Sequence, residues 1–142
     1  MILGFKEKFP DGTLTYFRQK ILSCFANEAN TRPPFRPKLH TIREDKNNRW
    51  KKGMLIHFAT GVRTKAYCNF WKDECKATQE IEIIYTGQTD YYPSIYIEGR
   101  NLSYNEMTLL AINDGFEDQD DFFKWFNADF SGKIIHWTNL LY

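Results

Sequence analysis

The sequence predicts an α+β domain in which a small, mostly antiparallel sheet or barrel is preceded by one helix and followed by two. Two patterns carry this expectation. Between about residues 38 and 98, short β-rich runs follow one another with tight turns between them, a spacing that suits antiparallel pairs and leaves no room for long parallel crossovers. On either side, apolar residues recur at three- and four-residue steps. The 142 residues, 42% of them apolar and 17% aromatic, suffice for one core without metal or disulfide staples, so the expected organisation is a single domain over 1–142.

The elements follow in order. Ile2 to Phe9 alternates as a strand, and Pro10-Asp11-Gly12 turns the chain. Thr13 is placed to cap a helix through Phe25, with Leu14, Phe17, Ile21, Leu22 and Phe25 on one stripe. Asn27 to Pro37, with three prolines, reads as an irregular loop leading into Lys38-Leu39-His40-Thr41-Ile42-Arg43. Strands are expected at Met54 to Phe58, near Lys65 to Phe70, at Ala77 to Tyr85 and at Ser94 to Glu98. Ser103 with Glu106 three residues on has the capping-box spacing and opens a helix that Gly115 ends. Asp118 to Asp121 place acids at the start of a further helix carrying Phe122, Phe123, Trp125 and Phe126, where its dipole favours them. Gly132 then releases Lys133 to Thr138 as a closing strand.

Net charge is +1, so no global field recruits nucleic acid or an anionic membrane. Charge is nevertheless uneven. Residues 32–52 carry eight basic side chains against two acidic ones, and 103–130 carry seven acidic against one basic; such runs form solvated faces or docking surfaces. No apolar run is long enough to span a membrane, and the start carries charge by its sixth residue, so no leader or anchor is expected. Three cysteines, an odd number without disulfide or zinc spacing, point to a reducing cytoplasm and to no structural metal. No cofactor is expected.

Lys38-x-x-Thr41-x-Arg43, with Lys52-Gly53-Met54-Leu55-Ile56 beginning nine residues after Arg43, resembles the signature of ASCH domains, a branch of the PUA-like superfamily. Met54 stands where that family's turn usually carries aspartate. Glu106-Met107-Thr108-Leu109 and Asp114-Gly115-Phe116 resemble the family's helix after the barrel strands, and Phe122 to Phe126 with His136-Trp137 are similar to a pattern in members of this size. The resemblance implies a small PUA-like β-barrel of about five to six mostly antiparallel strands with one N-terminal and two C-terminal helices. It also implies a cleft lined by the Lys-x-x-Thr-x-Arg segment that takes RNA, a nucleotide or a modified nucleoside. One group of very small members is implicated in removing the acetyl group from acetylated cytidine with a Lys, Thr and Glu trio. Lys38 and Thr41 fall on its first two positions. Glu106 is the candidate for the third, although alignment on Met107-Thr108-Leu109 puts Asn105 there.

The residue types fit those chemistries. An amide hydrolase needs a nucleophile, a base and positive charge at the oxyanion, which Thr41, Lys38 and a carboxylate would supply. In a regular strand positions 38 and 41 face opposite sides, so cooperation requires a bend at Leu39-His40. A binding module would hold phosphate with Lys38, Arg43, Arg49 and Lys52 and stack a base on Trp50, which lies among cations. Trp71 is expected in the core. The structural alternatives are a solvated Lys38, a β-forming Thr41, an Arg43 paired with Glu44 or Asp45, and Glu106 acting only as the capping-box acid. A further alternative is an interaction domain whose acidic, aromatic C-terminal helices dock a basic partner. Sequence leaves the oligomeric state open.

Overall fold

The computed structural model describes residues 1–26, 35–85 and 92–142. In chain order the elements are β1 (Ile2–Phe5), α1 (Phe17–Phe25), β2 (His40–Arg43), β3 (Leu55–Thr60), β4 (Cys68–Glu74), β5 (Ala77–Ile84), β6 (Ser94–Ile97), β7 (Arg100–Asn101), α2 (Tyr104–Asn113), α3 (Gln119–Trp125) and β8 (Phe130–His136). The class is α+β, with three helices and eight strands among the described residues. Most of the loop expected at Asn27 to Pro37 lies outside them.

The strands form two sheets, ordered β1-β3-β4 and β2-β8-β5-β6-β7. The larger is antiparallel throughout, with Thr41 opposite Ile135 and Gln79 opposite Ile134. The chain passes between sheets at Cys75 and Lys76, whose amides donate to Met54 O and His136 O, each at 2.8 Å. No ladder joins β1 to β2 among the described residues, so the strands do not close into the expected barrel there. One pair among the described residues departs from the antiparallel majority. β1 pairs with β3 in parallel, Leu3 beside Phe58, because α1 and β2 intervene and supply the crossover that parallel pairing needs.

Helix α1 starts three residues later than Thr13 as its cap suggests. Asp11 Oδ1 instead accepts from the Thr13 amide and hydroxyl, at 2.9 and 2.6 Å, and Leu14 bridges back to Lys8. That turn leaves Leu14 49% exposed rather than on an apolar stripe. The later boundaries obey local rules more closely. Ser103 and Glu106 form the reciprocal capping box of α2, and the Asp118 carboxylate caps α3.

One core lies between the sheets and helices. Phe58, Phe5 and Trp137 meet at its centre, with Phe58 and Trp137 edge to face at 5.0 Å. Ile81, Ile83, Ile95, Ile97, Ile134 and Ile135 are buried from the larger sheet. The aromatic residues of α3 turn inward too: Phe122 and Phe126 are buried and pack on Phe116. No helix among the described residues is long and apolar enough to cross a membrane.

Candidate functional site

The segment Lys38-Leu39 enters the fold under constraint from both ends. Lys38 N donates to Lys20 O at the inner face of α1, Leu39 N donates to Asn113 O at the end of α2, and the Trp137 indole donates to Lys38 O. Regular pairing begins only at His40. Lys38 lines the same cavity as Thr41 and Arg43, and its amine shares Asp114 Oδ1 with His40, two residues further on.

The cavity has a volume of about 560 Å³ and lies where β1 and β2 leave the two sheets unjoined. One wall is Gly4 to Lys8, another is Lys38 with Thr41 to Arg43, and Phe17, Phe116, Trp125 and Phe126 supply aromatic surface. Lys6, Lys8, Lys38 and Arg43 outnumber Glu7 and Asp114. Three cations lie over rings: Lys38 over Phe17 at 4.7 Å, Arg43 over Phe5 at 5.2 Å and Lys6 over Trp125 at 5.6 Å. Arg43 spans the gap by donating to Gly4 O at 2.7 Å, and its Nε is buried without a partner among the described residues. The guanidinium's donors are thus not all committed within the fold.

At the floor, Lys38 is 1% exposed and donates to Asp114 Oδ1 at 2.8 Å and to the Asp114 carbonyl. Asp114 is itself 3% exposed. Burial pushes the Lys38 amine down to about 8 against the upward pull of Asp114. For Asp114 burial pushes upward, but the Lys38 charge and His40 outweigh it and hold the carboxyl below its ordinary range. The pair is thus poised with the carboxylate ionised and the amine able to titrate at mildly alkaline pH.

Asp114 reaches this place through the end of α2. Gly115 N donates to Ile112 O and Phe116 N to Ala111 O, the double closure that needs a left-handed residue, and Gly115 has φ 91. A Cβ there would stand 3.1 Å from Lys38 Cδ and 3.2 Å from the Phe17 ring. Glycine therefore both turns the chain and makes room for the lysine stem. The dipole disfavours a carboxylate at a helix C-terminus, so Lys38 offsets a local penalty as well as a burial one.

Other expected site residues lie elsewhere. Glu106 does not line the cavity: its carboxylate accepts from the Ser103 amide and from Arg100 at 2.7 Å, as a capping-box acid should. The acid that meets Lys38 is Asp114. Trp50 is 7% exposed and belongs to the core, while Arg49 and Lys52 are exposed away from the cavity. Trp71, expected inside, is 38% exposed and stacks on Phe25 at 5.1 Å. The two tryptophans exchange roles because Trp50 follows a turn folded over Asp45, which accepts its amide, whereas Trp71 lies on the edge strand β4. Asp114 had one signal in the sequence, an acid at the unfavourable end of a helix next to glycine; Lys6, Lys8 and Trp125 had none.

Among the described residues no group of three His, Cys, Asp or Glu side chains is placed to hold a metal ion. Comparison with models of protein families, with curated proteins and with solved structures finds no match.

The two acids separate by experiment. Asp114→Asn strands the Lys38 charge and should cost about 3–5 kcal/mol in urea denaturation near neutral pH, whereas Glu106→Gln, at an exposed helix start, should cost far less. The sign of the pH dependence follows from linkage. Lys38 titrates near 8 when folded and at its ordinary 10.5 when unfolded, so between those values the unfolded chain binds more protons and this residue makes the fold more stable as pH rises. In Asp114→Asn the folded value falls further, the same gain starts at lower pH, and the deficit against wild type should narrow as pH approaches 8.

Proposed function

We propose that the cavity is the ligand site of an ASCH-type, PUA-like domain and that it takes a nucleotide, a modified nucleoside or an RNA end. One observation carries this reading: Lys38, Thr41 and Arg43 converge, with Lys6 and Lys8, on a single aromatic-walled cavity of the size that encloses small ligands. Cations and free guanidinium donors suit phosphate, and aromatic walls suit a base.

Titration with cytidine 5′-monophosphate and with a short single-stranded RNA at low salt tests it. Binding should weaken as salt is raised. Lys38→Met and Arg43→Ala should each lower affinity about tenfold or more, while Arg49→Ala and Lys52→Ala, outside the cavity, should change it less than about threefold. Absence of binding at low salt, or equal loss from both pairs of variants, overturns the reading.

The lowered Lys38 amine and the Thr41 hydroxyl in one cavity support a second reading, hydrolysis of an N-acyl nucleoside. Neutral Lys38 takes the Thr41 proton as the hydroxyl oxygen adds to the acyl carbon. Lys38 then returns the proton to the departing amine, and water cleaves the acyl-threonine ester to release the carboxylic acid. Arg43 would stabilise the oxyanion and Asp114 would hold Lys38 in place. On this reading N4-acetylcytidine is converted to cytidine and acetate, with a rate that rises with pH through about 8. Thr41→Ala should lower it at least about a hundredfold. A rate unaltered by that substitution, or flat with pH, removes the hydrolase reading and leaves the binding one.

A further inference from the structure

Behind the cavity floor, a buried polar chain leads away from Asp114. His40 is fully buried; its Nδ1 lies 3.4 Å from Asp114 Oδ1, and its Nε2 lies 2.6 Å from the Tyr142 hydroxyl. That hydroxyl also accepts from Asn113 Nδ2 at 3.0 Å. Tyr142 is fixed by its backbone, with its amide donating to Gln79 Oε1 at 3.0 Å and its carbonyl accepting from Gln79 Nε2 at 2.9 Å. Gln79 Oε1 in turn lies 3.0 Å from His136 Nε2. Tyr142 does not line the cavity.

Proton counting gives this chain a direction. The Asn113 amide donates, so the single Tyr142 proton is free to go to His40 Nε2. Burial lowers the His40 pKa, with Asp114 opposing, which favours the neutral ring. A neutral imidazole that accepts at Nε2 carries its proton on Nδ1, facing Asp114 Oδ1. His40 Nδ1 makes no hydrogen bond among the described residues, and at 3.4 Å from Asp114 Oδ1 it acts on the carboxylate through its partial charge alone.

We infer that Tyr142 is a positioning residue for the Lys38–Asp114 pair: by donating to His40 Nε2 it fixes the imidazole as the Nδ1–H form and so aims a donor, not a lone pair, at Asp114. This rests on the proposal that Lys38 acts in the cavity. Lys38 is faced by Asp114 from the end of α2, by His40 and Arg43 from β2 and by Lys20 from α1; His136 of β8 stands 5.3 Å behind His40, ring to ring. Of these groups only His40 changes the sign of what it presents to Asp114 when its proton moves between nitrogens. Without the Tyr142 hydroxyl, the ring is free to place its proton on Nε2. Asp114 then faces a lone pair in place of a positively polarised N–H, and its less compensated charge raises the amine's titration midpoint.

Nitrogen-15 NMR of the ligand-free protein tests this without any ligand or turnover. In the wild type, His40 should show a protonated Nδ1 and an unprotonated Nε2 near neutral pH. In Tyr142→Phe, which keeps the ring, the Nε2–H form should appear, and the Lys38 midpoint should move up by about half a pH unit or more. A wild-type His40 found as the Nε2–H form or as the imidazolium overturns the inference, and needs no variant. A folded Tyr142→Phe protein with unaltered His40 and Lys38 titrations overturns it as well. If nucleotide binding fails while these shifts occur, the functional reading falls and the positioning role of Tyr142 stands.

Discussion

Burial of the Lys38 amine against Asp114 is the constraint from which the rest of the site follows. Removing both charges from water is expensive, and a buried ion pair of this kind seldom adds stability over a well-packed apolar pair. The fold nevertheless supplies it with unusual completeness. The end of α2 gives a carboxylate and a carbonyl, Gly115 leaves room for the lysine stem, Trp137 ties down the Lys38 carbonyl, and His40 stands at the second side of the carboxylate. Three parts of the fold, the end of α2, β2 and the segment after β8, thus hold one amine at the floor of a cavity.

The cavity exists because two sheet edges stop short of each other. The first sheet presents β1 and the second presents β2, and the described residues join them by a side chain, Arg43 to Gly4 O, in place of a ladder. A ladder would fill the gap with backbone; a guanidinium leaves donors and space. Phe5 and Phe17 beneath the cations, with Phe116 and Trp125 beyond, make the walls apolar where the rim is charged.

Much of this was legible in the sequence, and the gaps have physical causes. Ser103 and Glu106 marked the start of α2 and Asp118 that of α3, because capping is chemistry within four residues. Lys38, Thr41 and Arg43 line one cavity, and their shared short segment made that grouping visible in the sequence. Asp114 was not paired with Lys38, since the contact spans 76 residues and depends on how α2 ends. Glu106 drew attention by its place beside Met107-Thr108-Leu109, yet its oxygens are committed to the helix start and to Arg100. Trp50 looked like a stacking platform from its charged neighbours, but neighbours in sequence do not decide which way a ring points after a turn. The parallel pairing of β1 with β3 was hidden for the same reason as Asp114: nothing local encodes a partner so distant.

The central claim is that Lys38 and Asp114 form one energetically coupled unit, and a double-mutant cycle on folding stability measures this most directly. Lys38→Met and Asp114→Leu should each be costly alone, because each leaves the other charge buried without its partner. The double variant should recover most of the loss, with a coupling of roughly 1.5–3 kcal/mol. Single costs that simply add, with coupling below about 0.5 kcal/mol, would show two independent side chains and contradict the account.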